Sequence, residues 1–372
     1  MKLFEYQAKA VFKEAGINVP TSKLICDVTE LDDALNEVGL PCVLKSQVLR
    51  GGRGKAGLIQ LVDSKEKALS ETKRLFDSPH NVRKILVEKA VDIEKELYIS
   101  VTVDPEKAKV LIIACEEGGV DIESLAVNSP DKIIMEEIDI NKGVQGFNCR
   151  NVAYALDVDT VIAKQVANVI FKLYSIFRKY DAELVEINPL FITKEGEVIA
   201  GDGKLSIDDN STFRQKAFEK TRDYYDSDVE FEAAMMDIPY IQFDGDISLM
   251  CAGAGLTTTV YDLINYAEGS VANYLEFGGP NYRRAEEAMS LCLKNNSKVI
   301  LIVTFGTIAR ADVMAEGIVN AMNKLKPNRP IVTCIRGTNE VEAVKILESA
   351  GLECIFDTEE AVDKAVSIAA GR

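Results

Sequence analysis

Apolar positions recur at helical spacing over residues 5–15, 65–75 and 158–179, so these stretches are predicted to be amphipathic helices. Apolar residues run continuously or alternate with polar ones over 42–47, 84–88, 95–103 and 109–115, which predicts strands. Residues 182–187 and 197–202 bracket a hairpin whose turn is Lys194-Glu195-Gly196. The pattern changes near residue 230. Residues 223–232 are acidic without an apolar period and read as a linker. Beyond it, strands are predicted at 247–251, 272–277, 299–304, 331–335 and 352–356, each followed by a helical stretch. Five such βα units imply a parallel sheet with helices on both faces. The first part, with its many adjacent strands and irregular helices, reads as α+β. The expected division is 1–230 and 238–372.

Composition narrows the function. A net charge of −16 argues against nucleic acid and anionic membrane surfaces as partners. No apolar run reaches the roughly 18 residues of a membrane span, and the opening Met1-Lys2-Leu3-Phe4-Glu5-Tyr6 lacks the layout of a signal or transit peptide. The eight cysteines show no Cys-x-x-Cys spacing and read as reduced core thiols, which places the chain in the cytoplasm. The single histidine, His80, sits in a polar loop marked by Pro79. Chemistry that needs a histidine nucleophile or a histidine-rich metal site is therefore not carried by this chain alone. Against the acidic background stands one local basic cluster, Arg50, Arg53 and Lys55.

That cluster lies in Gly51-Gly52-Arg53-Gly54-Lys55-Ala56-Gly57, preceded by Lys45 and Gln47. A turn so rich in glycine lets successive N–H groups converge on an anion, and Lys45 can reach a phosphate from the preceding strand. By itself it could equally be a mobile basic loop, and it does not match the Walker pattern. Glu88 and Glu96 lie on successive predicted strands and can meet a ribose or a base, or can simply be surface acids. Asn188 and Asp202 fall at neighbouring strand ends of the predicted hairpin, and magnesium commonly takes one or two such oxygens beside those of a phosphate. Strand alternation puts Glu186 on the face of Asn188. Pro189 is expected to end the strand.

The segments KLFEYQAKAVFKEAGINVP, KSQVLRGGRGKAG, ILVEKAVDIEKELY and EINPLFITKEGEVIAGDGKLSIDDN resemble the ATP-grasp β-subunits of the succinyl-CoA synthetase family. The resemblance continues through GAGLTTTVYDLI, FGTIARADVMAEGI and AVKILESAGL, in order over nearly the whole chain. It implies an α/β protein with an N-terminal ATP-grasp domain of two subdomains, followed by a flavodoxin-like CoA-ligase domain. By the same resemblance, Lys45, Gly52, Arg53, Gly54, Glu88, Val91 and Glu96 bind the nucleotide, ATP with GTP as the alternative. Asn188 and Asp202 hold Mg2+. Glu186, with Arg53, acts in transfer of the phosphoryl group to a histidine on an α-subunit, which also carries the CoA site.

The second domain would contribute Ala252 and Gly253 after one strand, and Thr307, Ile308 and Ala309 after another, to the acid substrate's site. A Gly-x-Gly turn opening a helix suits an anion, although such turns are also ordinary βα connections. Here the chain departs from its relatives' usual pattern: Ala252 stands where Asn is common, Thr307-Ile308-Ala309 replaces a Gly-Ile-Val-like run, and Leu49 replaces a frequent His. These changes bear on which acid is used. Succinate is the first expectation and malate or another small dicarboxylate the second. A ligase acting without a partner fits poorly with the regular second domain. A non-catalytic paralogue fits poorly with intact Lys45, Asn188 and Asp202.

Overall fold

The computed structural model describes residues 1–49, 51–278, 282–306 and 309–372; Arg50, Thr307 and Ile308, singled out above, lie outside the described residues, as do 279–281. The chain forms two compact units, Met1–Lys220 and Thr221–Arg372.

Two antiparallel sheets build the first unit. One contains β1 (Ser22–Ile25), β2 (Cys42–Ser46), β3 (Ile59–Val62) and β4 (Ile85–Lys89) in the order β1-β4-β2-β3. Its two faces differ in chemistry because side chains alternate along each strand. Cys42 and Leu44 of β2 and Ile85 and Val87 of β4 are buried in a core with Leu31, Leu35 and Val38 of helix Leu31–Val38 and Ala68 and Leu75 of helix Lys65–Phe76. The opposite face carries Lys45 and Glu88. They are diagonal neighbours, because Lys45 pairs with Leu86 and Val43 with Glu88.

The second sheet is β10-β8-β5-β6-β7, with β9 also on β8. Its strands are β5 (Ile93–Asp104), β6 (Lys109–Cys115), β7 (Ile133–Ile138), β8 (Ala182–Thr193), β9 (Val198–Ala200) and β10 (Lys204–Ile207). Helix Thr160–Lys179 starts at Asp159, whose carboxylate accepts from the N–H groups of Val161 and Ile162. It buries Ile162, Val166, Ile170, Leu173 and Phe177, which recur at the spacing of one helix face.

Pro189 does not end β8. The strand runs on to Thr193, and Asn188 and Pro189 together oppose the single residue Tyr98, between the pairs Leu97–Leu190 and Ile99–Ile187. A bulge tolerates a residue with no N–H to donate, so the chain absorbs the proline there without terminating.

In the second unit the sheet order is β11-β13-β12-β14-β15. Its strands are β11 (Tyr240–Gln242), β12 (Ile247–Ala252), β13 (Val271–Leu275), β14 (Val299–Gly306) and β15 (Ile331–Gly337). The last four are parallel, and β11 is an antiparallel edge. Met250, Ile300 and Ile302 pack against helices Ala285–Cys292 and Ala311–Leu325 on one face. Leu249, Leu301 and Val303 pack against helices Ala254–Tyr266 and Thr358–Ala369 on the other. This is the doubly wound, flavodoxin-like arrangement.

Two sequence expectations change here. Residues 352–356 contribute only a bridge between Thr333 and Cys354. Their buried residues, Leu352 and Ile355, are three apart, which does not match the two-residue period of a strand. The acidic stretch 223–232 read as a linker runs into helix Asp228–Met235. Ser227 accepts from the Glu230 N–H and Glu230 from the Ser227 N–H, both at 3.1 Å, and Ala233 is buried in the core. Of the eight cysteines, all unpaired, six are buried, Cys354 is half-buried and Cys26 is exposed. No helix among the described residues is long and apolar enough to cross a membrane.

Candidate active site

The polar face of the first sheet meets the start of the second at a buried cluster of charges. Lys45 Nζ lies 2.7 Å from Glu88 Oε1, 3.1 Å from Glu5 Oε1 and 2.6 Å from the Gly201 carbonyl oxygen. Lys9, one turn after Glu5 on helix Glu5–Glu14, lies 2.8 Å from the same carbonyl and 3.1 Å from Glu5 Oε1, and pairs with the other oxygen of Glu88. Arg53 reaches in from the Gly-rich loop. Its Nη1 lies 2.6 Å from Glu5 Oε2 and its Nη2 2.7 Å from Asp202 Oδ2. Three carboxylates thus meet three cations. Burying them is favourable only because each is paired and hydrogen-bonded. Burial opposes ionisation of Glu5, but Lys45, Lys9 and Arg53 overcome it and hold its carboxyl well below the usual range. Burial works against the charge on Lys45 as well, yet Glu5, Glu88 and Asp202 leave its ammonium more firmly protonated than usual.

Residues 45, 53, 88 and 202, far apart in sequence, therefore come together. In the Gly-rich loop, a Cβ added at Gly51, Gly52 or Gly54 would meet no atom within 4 Å. Protein packing does not demand glycine there, and the loop's backbone is open to close approach by a ligand. Lys55 is exposed at its edge. Glu88 is 2 % exposed, so what it does in this cluster is balance Lys9 and Lys45. Val91 is half-buried in the connection from β4 to β5, and Glu96 is half-buried on β5.

Gly201 donates its N–H to the Pro189 carbonyl, and Leu190 pairs with Ala200. Extending that register sets Asn188 opposite Asp202. Asn188 Oδ1 accepts from the Gly119 N–H at 2.7 Å, and its Nδ2 donates to the Val120 carbonyl at 2.9 Å. Gly119 has φ +70°, which favours glycine, and a Cβ there would lie 2.8 Å from Glu96 Oε2, so a larger residue would have to displace the Glu96 carboxylate. Asn188 and Asp202 offer hard oxygens, and no group of three or more His, Cys, Asp or Glu able to hold a metal occurs among the described residues. Such a sparse donor set fits magnesium, which leaves much of its shell to phosphate and water.

Glu186 lies beside this pair on β8, cross-strand from Lys204 and Ser100. It accepts from the Tyr98 hydroxyl at 2.9 Å. Burial raises its pKa above the ordinary carboxylate value, against the pull of Lys204 and Tyr98.

In the second unit, β12 ends at Ala252 and β14 at Gly306, and the two strands pair through Ala252 and Thr304. The two strands are parallel, and from β12 the sheet is built outward to β13 on one side and to β14 and β15 on the other, the switch point at which open α/β sheets bind ligands. Gly253, at φ +105°, turns the chain into helix Ala254–Tyr266. Ala309 follows β14, half-buried, while Thr307 and Ile308 lie outside the described residues.

An ATP-grasp domain family matches residues 2–192, and a CoA-ligase family matches residues 250–368. A succinate–CoA ligase [ADP-forming] subunit beta from Ignicoccus hospitalis is 40% identical over 374 residues, spanning 99% of both chains. This chain belongs to the family of ADP-forming CoA-ligase β-subunits. Within it, this ligase subunit is 61% identical over 372 residues to an ADP-forming sulfoacetate-CoA ligase subunit from Bilophila wadsworthia, covering 100% of both. It is 58% identical over 371 residues to one from Acholeplasma, covering 100% of this chain and 92% of the relative. ATP citrate lyase from Methanothrix soehngenii, solved with citrate and coenzyme A, shares the fold, with a TM-score of 0.75, 20% identity and coverage of 100% of this chain and 99% of that one. The expected family and fold are thus shown, while the expectation of succinate as the acid is shown only as far as an ADP-forming acid–thiol ligase.

Glu5 and Lys9 were not among the residues expected from sequence. No local feature marks them, because Lys13 and Glu14 on the same helix are equally charged and are exposed. The Gly118-Gly119 pair, separated by two residues from the end of β6, is a visible signal of the loop over Asn188.

Proposed function

We propose that this ligase subunit binds ATP at the Lys45–Arg53–Asp202 cluster and, with an α-subunit, couples its conversion to ADP to thioester formation between CoA and sulfoacetate. The observation that carries the choice of acid is full-length identity of 61% to a sulfoacetate-CoA ligase subunit, against 40% to a succinate–CoA ligase subunit. Ala252, half-buried at the end of β12, supports it. A methyl group leaves more room for a tetrahedral sulfonate than the Asn that the family resemblance leads one to expect at this position, and the N–H groups opening helix Ala254–Tyr266 favour an anion. Gly253 and residues 307–309 complete this proposed acid site.

In the proposed reaction a histidine of the α-subunit attacks the γ-phosphorus of ATP. The bond to the β–γ bridging oxygen breaks, a P–N bond forms and ADP leaves. The acid's carboxylate then takes the phosphoryl group from the histidine. Attack by the CoA thiolate on the acyl phosphate forms the thioester and releases phosphate. Lys45 and Arg53 place positive charge beside the phosphates, and the Gly52 and Gly54 backbone lies close to them. Glu186, held by Tyr98, orients the incoming imidazole. Val91 and Glu96 line the nucleoside end. Asn188 and Asp202 would hold magnesium, which supplies further charge neutralisation on the phosphates. The eight unpaired thiols suit a reducing, cytoplasmic setting.

The α-subunit complex should be assayed for ADP-forming thioester synthesis with sulfoacetate, succinate and malate. The kcat/KM for sulfoacetate should exceed that for succinate by about tenfold or more, within what a reshaped pocket commonly achieves. The reverse order would restore succinate, the second reading, which rests on the 40% identity.

A further inference from the structure

We infer that Glu5 is a positioning residue for the nucleotide phosphates: its carboxylate fixes Lys45 and Arg53 at a set spacing, one oxygen for each. The inference rests on the proposed nucleotide cradle and extends it to a residue on a separate element. Glu5 Oε1 lies 3.1 Å from Lys45 Nζ and Oε2 lies 2.6 Å from Arg53 Nη1, and Glu5 is 5 % exposed. Arg53 also gives Nη1 to the Ser46 carbonyl at 3.2 Å and Nη2 to Asp202. Its guanidinium is therefore held in plane from two sides, as a forked donor requires.

The backbone places Glu5 firmly. Leu3 donates to the Leu205 carbonyl at 2.8 Å and Lys2 bridges to Ser206, so the residues before the helix extend the edge of the second sheet at β10. The Tyr6 N–H donates to Gln47 Oε1 at 3.0 Å, which ties the same turn to the end of β2. Glu5 is the first residue of helix Glu5–Glu14, where a negative charge also suits the helix dipole. Lys9 completes the design from one turn later. It pairs with both Glu5 and Glu88, so neither carboxylate depends on Lys45 alone. Lys45 and Arg53 can then turn part of their hydrogen bonding toward phosphate without leaving Glu5 or Glu88 bare. A carboxylate with only one cation could not give that cation up, because an unpaired buried charge is costly.

The test uses the full chain assembled with its α-subunit, carrying Glu5→Gln. Gln keeps the shape and one acceptor but loses the charge. Equilibrium dialysis with labelled ATP, ADP and adenosine reads the effect. Weakening a charge-assisted hydrogen bond to phosphate lowers affinity by about tenfold, so ATP and ADP binding should weaken by about that factor while adenosine binding stays within about twofold. KM for ATP should rise more than kcat falls. Unchanged ATP affinity in folded Glu5→Gln protein overturns the inference, and so does an equal loss for adenosine and ATP, which marks a general disturbance. Should Glu5→Gln fail to fold, Glu5→Asp, which keeps the charge but shortens its reach, is judged by the same ATP-to-adenosine comparison. Failure of the wild-type complex to bind ATP would instead remove the nucleotide cradle itself.

Discussion

Replacing Lys45 by Met isolates what the charge cluster is worth. Lys45 is 7 % exposed and serves three acceptors, on Glu88, Glu5 and Gly201. Removing one partner from a buried ion pair costs about 3–5 kcal/mol. Here the loss should lie near the lower end, about 3 kcal/mol, because Lys9 still pairs with both carboxylates and still donates to the Gly201 carbonyl. In a domain the size of the first unit this lowers the melting temperature by roughly 10 °C. Lys9→Met removes an almost identical set of ion pairs and should cost about the same. The double variant leaves Glu88 with neither lysine, so its loss should exceed the sum of the singles by about 1–3 kcal/mol. Function separates the two lysines. ATP affinity should fall about tenfold or more in Lys45→Met but only a few-fold in Lys9→Met. Calorimetry and urea unfolding of the four proteins give the stabilities, and equilibrium dialysis gives the affinities. Single losses under about 1 kcal/mol that simply add would show that the charges are solvated and independent, which would refute the buried network.

Three further outcomes follow from the same geometry. Glu186→Gln should slow phosphoryl transfer about a hundredfold, as losing a positioned carboxylate commonly does, with ATP affinity within about twofold of wild type; Tyr98→Phe, which removes the hydroxyl that holds it, should give a milder version in rapid-quench assays, and unchanged rates would remove Glu186 from the reaction. Ala252→Asn should shift the ratio of kcat/KM for sulfoacetate over succinate toward succinate by about tenfold, and an unmoved ratio would take Ala252 out of the acid site. Glu5 has a folded-state carboxyl well below its unfolded value, so the stability it contributes is complete above about pH 4.3 and is lost as pH falls through the lower folded value; urea unfolding between pH 3 and 7 should show a shallower acid-side fall in Glu5→Gln than in wild type, and identical slopes would contradict the pairing.

Much of this architecture is written in local patterns. Lys109–Cys115 and helix Thr160–Lys179 follow from apolar period alone, because each buries one continuous face. The candidate loops were visible in the sequence through glycine: residues 51–57 present open backbone, and Gly52 and Gly253 adopt positive φ that favours glycine. Glu5 and Lys9 were not legible, since nothing local says that two charged residues on an amphipathic helix will be buried. Only the meeting of that helix with Lys45, Glu88 and Gly201 makes it so. Pro189 misled for a related reason. Its missing N–H forbids a regular ladder position, but β8 itself bulges at Asn188 and Pro189 opposite Tyr98, a feature that exists only once β5 pairs beside it. The helix at Asp228–Met235 was hidden because its weak apolar pattern is offset by a capping box and by burial of Ala233.

The most direct test of the account is transfer of label from γ-labelled ATP in the assembled complex. Acid-labile label should appear on the α-subunit, form only with magnesium, be discharged by ADP or by CoA with the acid, and be absent in Asp202→Ala. Wild-type complex that forms no such label, or Asp202→Ala that forms it at the normal rate, would contradict the claim that Lys45, Arg53 and Asp202 converge on one nucleotide and its metal.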